Sequence, residues 1–220
     1  LVYAGGCALN SLANKKIFES NLFKNIYIPY APGDGGGALG SALFVQKKKD
    51  DKVKLSNLNN PYIGTSYKDD HIKDIIDENI RSKEFSIKYY NDRDELNTDL
   101  ANSIYKNKIV GYFDGKMEFG ARALGNRSIL ANPCGDKIKE IINSKIKRRE
   151  SFRPFAPAIL NEEKNKWFYN NHANPYMSSV EEIRSEKRNI IPAVTHVDGT
   201  GRIQSVSINT NKNFYNLTFY

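Results

Sequence analysis

The run Gly115-Lys116-Met117-Glu118-Phe119-Gly120-Ala121-Arg122-Ala123-Leu124-Gly125-Asn126-Arg127-Ser128 holds residue types that bind anions. Arg122 and Arg127 offer planar forks of donors that suit phosphate or carboxylate bidentately, and Lys116 adds a compact cation. Glycines at 115, 120 and 125 let backbone N–H groups approach an oxyanion, while Glu118 can orient an arginine or hold a nitrogen donor of a substrate. A second basic run, Arg148-Arg149-Glu150-Ser151-Phe152-Arg153-Pro154-Phe155-Ala156-Pro157, repeats the theme on a backbone stiffened by two prolines. Arg149 and Arg153 flank Phe152 there. Together the runs point to a pocket for a small phosphorylated substrate. The blander readings are a surface turn with salt-bridged arginines for the first run and the solvated end of a basic helix for the second, the latter accounting for Lys145 and Lys147.

Three further phrases carry chemistry-bearing residues. His196 and Arg202 lie in Thr195-His196-Val197-Asp198-Gly199-Thr200-Gly201-Arg202-Ile203-Gln204, where Asp-Gly is first a hairpin signal and a lone histidine is ordinarily structural. The turn Gly5-Gly6 with Asn10 behind it can set a nucleotide against the N–H groups of a following helix. Asp34, in Pro32-Gly33-Asp34-Gly35-Gly36-Gly37, either caps the next helix or binds a metal, and local features favour the cap. His71 and His172 read as solvated, so no metal-ligand cluster is expected within the chain.

The elements that must position these groups follow from periodicity. Leu1 to Ala4 reads as a strand, Cys7 to Phe18 as a helix and Asn25 to Pro29 as a second strand. Ala38, Leu39, Ala42, Leu43 and Val45 have the spacing of a helix packed closely on its neighbours. Polar Lys47 to Asn60 marks a domain boundary. Beyond it Ser66 can cap a helix with Ile72, Ile75, Ile76 and Ile80 on one face; Phe85 to Tyr90 is strand-like, and Asp94 to Tyr105 is helical. A strand, Ile109 to Phe113, delivers the first basic run. Asp136 starts a helix that buries Ile138, Ile141, Ile142 and Ile146, and its basic end leads into Arg148. Ala156 to Leu160, Ala193 to Val197 and Arg202 to Ile208 read as strands.

Composition sets outer limits. At 220 residues, with 40% hydrophobic and 26% charged, the chain is ordinary globular material rather than disordered, and one domain or two is allowed. No apolar run suits a membrane span and no leader pattern is present, so the expected location is the cytoplasm and no membrane partner is expected. Two cysteines, Cys7 and Cys134, imply no disulfide scaffold and read as small buried or half-buried residues. The net charge of +8 is scattered through a Lys-, Asn- and Ile-rich chain, so nucleic acid is not the expected partner. The chain opens on Leu1 inside an apolar run, as a piece of a longer protein would.

Taken in order, Ala4 to Asn10, Pro32 to Leu43, Gly115 to Ser128, Arg149 to Pro157 and His196 to Gln204 resemble the O-carbamoyltransferases of the nodulation and cephamycin-biosynthesis type, the NodU/CmcH family. The resemblance implies α/β plus α+β architecture: residues 1–50 as the C-terminal end of an actin-like (ASKHA) ATPase fold, 51–65 as a linker, and 66–220 as a YrdC-like α+β domain with a twisted mixed sheet, truncated at its C-terminus. It implies carbamoyl-adenylate formation from carbamoyl phosphate and ATP in a basic cavity, with Lys116, Glu118, Arg122, Arg127, Arg149 and Arg153 as its catalytic set. The actin-like module would pass the carbamoyl group to a hydroxyl of a sugar, antibiotic or oligosaccharide. Gly5, Gly6, Asn10, Gly35, His196 and Arg202 would bind cofactor, and Asp34 becomes a ligand for a divalent metal, iron with magnesium accompanying ATP. The family's histidine pair is expected upstream of Leu1, and its sequence continues beyond Tyr220. Ala121 stands where the family usually has proline and Lys116 where it commonly has arginine, which loosens the loop and removes a fork. Competing readings are a tRNA threonylcarbamoylation-related or RNA-binding module and a non-catalytic phosphate-ligand sensor.

Overall fold

The computed structural model of the chain describes residues 1–52, 59–79, 85–170 and 172–220. At its start, Val2 and Tyr27 form a single parallel bridge where two fuller strands are expected. Gly5, at φ 98°, turns the chain into a short 3-10 segment, Gly6–Leu9, and helix α1 (Ser11–Glu19) follows. The expected helix is divided because the Asn10 side chain accepts the N–H of Ala13 and restarts it. Helix α2 (Asp34–Lys49) begins at Asp34, so Gly35 to Gly37 lie in its first turn, and Lys47 to Lys49 complement the dipole at its far end. None of its residues is buried. Leu39 and Leu43 are half-buried while Phe44 and Val45 are exposed, so the close packing expected on both flanks is made on one side among the described residues.

Helices α3 (Asp69–Asn79) and α4 (Arg93–Tyr105) fall where periodicity places them, though α3 starts three residues beyond Ser66 and Ile80 lies outside the described residues. So does the middle of the expected linker, residues 53–58. Phe85 to Tyr90 forms no strand with any of the described residues; Lys88 instead pairs with Asp99 of α4 at 2.7 Å. Strand β1 (Val110–Phe113) runs antiparallel to β2 (Arg127–Leu130), with Phe113 opposite Arg127, so the first basic run is a loop closed at its base. Helix α5 (Ile138–Ile141) widens into a π-helical stretch, Ile142–Lys147, that ends at Arg148 in the left-handed region.

Strand β3 (Ala158–Leu160) pairs in parallel with β6 (Gln204–Val206), and β4 (Glu181–Glu182) pairs antiparallel with β5 (Thr200–Gly201). These are three two-stranded ladders. Ala193 to Val197 is a series of turns, and Asp198-Gly199 closes a tight turn from His196 to Thr200 instead of joining two hairpin strands. A last helix, α6 (Lys212–Phe219), is capped by Asn211, which accepts the N–H of Phe214. Cys7 and Cys134 are both exposed, the first in the short 3-10 segment and the second in a turn. Among the described residues no helix is long and apolar enough to cross a membrane.

The core lies in the C-terminal half. Phe168, Ile183, Ile191, Val194 and Ile203 form one cluster; Tyr112, Val206, Phe214 and Leu217 form another; Ile138, Ile142 and Ala193 make a third, with Phe155 packed on both the first and third. Gly125 joins the first basic loop to this core, for at φ 116° an added Cβ would lie 2.5 Å from the Phe214 ring. Gly125→Ala therefore meets strain and a clash together and should cost about 2–4 kcal/mol in a urea melt. A change below about 0.5 kcal/mol would show that the loop can leave Phe214 at no cost.

The amino-terminal elements are held to the rest by buried polar groups. The Asn14 Nδ2 donates to the carbonyls of Ala8 and Ser178 at 2.8 and 2.7 Å, and Phe18 stacks on His172 at 4.5 Å. Behind them Lys164 and Glu181, 1% and 0% exposed, pair at 3.0 Å, and Lys164 also donates to the His172 carbonyl. His172, expected to be solvated, has its pKa pushed down to about 4 by burial and by the Lys164 charge. It is neutral in the fold, so protonation favours the unfolded chain: stability is complete above about pH 6.5 and falls by roughly 2–3 kcal/mol toward pH 4. Burial raises the Glu181 carboxyl, which titrates in the opposite sense, so the difference between wild type and His172→Gln isolates the histidine. Urea midpoints at pH 7.5 and 4.5 should diverge more for wild type than for the variant. Parallel pH profiles would contradict this assignment.

Candidate functional site

The first basic loop is shaped by Glu118. Its carboxylate is buried, and Oε1 accepts the backbone N–H groups of Leu124, Asn126 and Arg127 at 2.8, 2.6 and 3.2 Å. Glu118 thus holds the loop's own nitrogens rather than an arginine. Gly120, at φ 130°, lies against the Tyr30 carbonyl, where a Cβ would approach to 2.5 Å. The loop is consequently pressed between the amino-terminal segment and α6. Arg127 donates to the carbonyls of Asp114, Asn126, Gly115 and Thr65, and its guanidinium lies 3.6 Å from the centre of the Phe113 ring. This arginine ties the base of the loop.

Arg122 points elsewhere. Half-buried, it donates to the Leu9 carbonyl at 3.3 Å and lines a cavity of about 340 Å³ with Arg149 and Arg202. Lys147, read from sequence as a solvated helix end, is exposed and is also among the residues lining it. No Asp or Glu among the described residues lines this space. Arg149 reaches it because the fully buried Asn143 accepts both its backbone N–H and its Nε, at 2.9 and 2.7 Å. Asn143 in turn donates to the carbonyls of Ser151 and Arg153. Sequence reasoning passed over Asn143, because its burial depends on the π-helical widening at Ile142–Lys147, which α-helical spacing does not signal.

Arg202 is the most constrained of the three. Its Nε is buried with no partner, and burial together with the charges of Arg122 and Arg149 draws its pKa down to about 10. Burial also lowers the pKa of Arg122 and of Arg149, the latter with help from Arg153. Three mutually repelling cations around one cavity are stable only with compensating negative charge. Arg153 stands outside the lining, partly exposed and 3.7 Å from Glu150, and Lys116 is exposed. His196 is also outside it. Its Nδ1 meets the Thr200 hydroxyl at 3.1 Å, that hydroxyl donates to Asp198, and Nε2 is buried without a partner. Because Thr200 has spent its proton on Asp198, His196 donates from Nδ1 and leaves Nε2 as an acceptor.

A second cavity of about 420 Å³ lies at the start of α2 and brings together Gly5 and Asp34 with Tyr27, Tyr30, Gly36 and Gly37. Gly6, Asn10 and Gly35 are not in its lining, and Asn10 is occupied as the α1 cap. Asp34 is the one carboxylate of that lining, and no group of three or more His, Cys, Asp and Glu residues able to hold a metal occurs among the described residues. A narrow space of about 10 Å³ lies between the two cavities, sharing Arg122 and Met177 with the first and Pro29, Tyr30 and Pro32 with the second.

The geometry defines a mixed α/β protein with an arginine-walled cavity beside a glycine-lined helix terminus. Residues 101–219 match the family model described as carbamoyltransferase C-terminus and residues 1–43 the one described as carbamoyltransferase N-terminus, and the chain belongs to the carbamoyltransferase family. It is 37% identical to an uncharacterized protein of Synechocystis sp., over 99% of this chain and 39% of that protein. It is 36% identical to nodulation protein NolNO of Sinorhizobium fredii, over 98% of this chain and 32% of the relative, and 36% identical to nodulation protein NolO of Bradyrhizobium diazoefficiens, over 99% and 39%. The chain thus spans about a third to two fifths of the length of the curated relatives it matches.

Glu118 offers a direct check of how the site is built. Glu118→Gln keeps the shape but weakens three charge-assisted bonds, and should lower stability by about 1.5–3 kcal/mol in a thermal or urea melt. Loss of anion binding without loss of stability would instead assign Glu118 to the ligand.

Proposed function

We propose that the chain forms the activating part of an ATP-dependent O-carbamoyltransferase, in which carbamoyl phosphate and ATP meet in the arginine-walled cavity. The observation that carries this reading is the convergence of Arg122, Arg149 and Arg202 on a space that no carboxylate among the described residues lines. Water releases the carbamoyl group from its phosphate, the resulting carbamate oxygen attacks the α-phosphorus of ATP, and pyrophosphate leaves. Negative charge then builds on several phosphoryl oxygens in turn, and fixed guanidinium groups in a partly desolvated wall stabilise it without reorganising. Arg202, with its unpartnered Nε–H, has the most to gain from an oxyanion.

In the second stage an acceptor hydroxyl, on a sugar, antibiotic or oligosaccharide, takes the carbamoyl group and AMP departs. The cavity between Gly5 and the start of α2 suits a nucleotide phosphate through backbone N–H groups and the helix dipole. Asp34, exposed at that cavity, would give one carboxylate to a divalent metal, iron with magnesium accompanying ATP, whose contribution when bound is Lewis acidity toward the carbamoyl carbonyl. The narrow space beside Arg122 and Met177 lies between the cavities and, at about 10 Å³, would have to widen before the activated group could pass. Dependence on ATP makes the cytoplasm the natural location.

Calorimetric titration with carbamoyl phosphate tests this reading. Arg122→Ala and Arg202→Ala should each weaken binding by about 1.5–3 kcal/mol, while Arg153→Ala, outside the cavity, should change it by less than about 0.5 kcal/mol. Unchanged affinity in the first two variants would remove the cavity from the mechanism.

A further inference from the structure

The arginine cavity is rich in donors, and one of its side chains offers the opposite. Gln204 opens β6, is 4% exposed and lines the cavity, and its backbone N–H donates to the Pro157 carbonyl at 2.8 Å. Its amide orientation is settled by Leu124. The Leu124 carbonyl accepts from the Gln204 Nε2 at 2.7 Å and from the Tyr62 hydroxyl at 2.8 Å, filling both lone pairs. Burial pushes the Tyr62 pKa up to about 12, so that hydroxyl keeps its proton and remains a donor. Turning the Gln204 amide over would set Oε1 against the Leu124 oxygen, acceptor to acceptor. Oε1 therefore faces away from Leu124, and no donor among the described residues meets it.

The other side-chain acceptors of the lining are already engaged. Asn132 Oδ1 takes the N–H of Cys134 at 2.9 Å, and Ser128 Oγ takes the N–H of Gly125 at 3.0 Å. A ligand that presents only oxyanions satisfies the arginines and leaves Gln204 Oε1 without a partner. A ligand with an amide nitrogen beside its phosphate satisfies both. Resting on the reading of this cavity as the carbamoyl phosphate site, we propose that Gln204 is its specificity-determining residue: Oε1 accepts an N–H of the carbamoyl group and selects carbamoyl phosphate over acyl phosphates of the same shape. Acetyl phosphate is the informative competitor, because a methyl group replaces the amino group and the phosphate end is unchanged. A site built to accept an N–H penalises the analogue that lacks it by leaving a poorly hydrated acceptor unpaired.

The test is calorimetric titration of the 220-residue chain with inorganic phosphate, freshly prepared carbamoyl phosphate and acetyl phosphate. Unaltered chain should bind carbamoyl phosphate about tenfold more tightly than acetyl phosphate. Gln204→Met preserves the length and leaves Tyr62 on the Leu124 carbonyl; it should bring the two acyl phosphates within about twofold while inorganic phosphate binds as before. Gln204→Glu, which keeps an acceptor, should weaken all three anions yet preserve the preference for carbamoyl phosphate. Equal affinity for the two acyl phosphates in the unaltered chain overturns the assignment of Gln204 and leaves the cavity reading standing. A uniform loss of all three ligands in Gln204→Met, with the preference retained, also overturns it. Absence of binding by any of the three to the unaltered chain overturns the cavity reading and this inference together.

Discussion

Much of this architecture depends on one buried carboxylate whose partners are all backbone. By drawing the N–H groups of Leu124, Asn126 and Arg127 onto a single oxygen, Glu118 curls the loop between β1 and β2 around itself. Everything on the loop's outer side takes its direction from that curl. Arg122 leaves toward the cavity, the Leu124 carbonyl turns to Tyr62 and Gln204, and Arg127 falls back onto the carbonyls at the loop base. Gly120 and Gly125 are then obliged by space as well as by φ, because the curled loop lies directly on Tyr30 and Phe214. One interaction thereby links the amino-terminal segment, the arginine-walled cavity and the last helix.

The cavity's charge is concentrated by subtraction. A net charge of +8 over 220 residues is unremarkable as a field, but three arginines on a lining that lacks any carboxylate among the described residues is a local demand for anions. Each cation is held by a different neutral device: the Leu9 carbonyl for Arg122, the Asn143 side chain for Arg149, and burial beside the β5 to β6 turn for Arg202. Neutral holders leave the guanidinium charge uncompensated, whereas acidic holders would have neutralised it. Arg153 shows the contrast, since Glu150 already stands beside it.

The two basic runs, the glycine turns and most helices were legible because each is local: caps, periodicity and charge spacing act over a few residues. Arg122, Arg149, Arg202, Gly5 and Asp34 could be named in advance for the same reason. What could not be read was which guanidinium ends on carbonyls and which on open space, because that depends on partners distant in sequence, such as Thr65 for Arg127. Strand assignments failed where pairing is needed: Phe85 to Tyr90 has the composition of a strand but pairs with no strand among the described residues, while β3 finds its parallel partner more than forty residues along in β6. The buried pair Lys164 and Glu181 was invisible, since nothing local distinguishes it from the many exposed lysines and glutamates around it.

That buried pair also bears on why the amino-terminal elements stay in register with the cavity. Removing two charges from water is costly, and the pair offsets that cost through its mutual attraction and through hydrogen bonds that run by way of His172, Asn174 and Ser179 to the segment that meets α1. An apolar contact between α1 and this segment would tolerate sliding. A buried polar network tolerates less, because a small displacement strands a buried charge or amide. Met177, in the left-handed region at φ 54°, lies within the same segment and lines both the arginine cavity and the narrow space beyond it. The network therefore fixes the wall that separates the two cavities, and any motion that widens the path between them must be confined to side chains such as Met177 and Tyr176 or must first break the polar anchor.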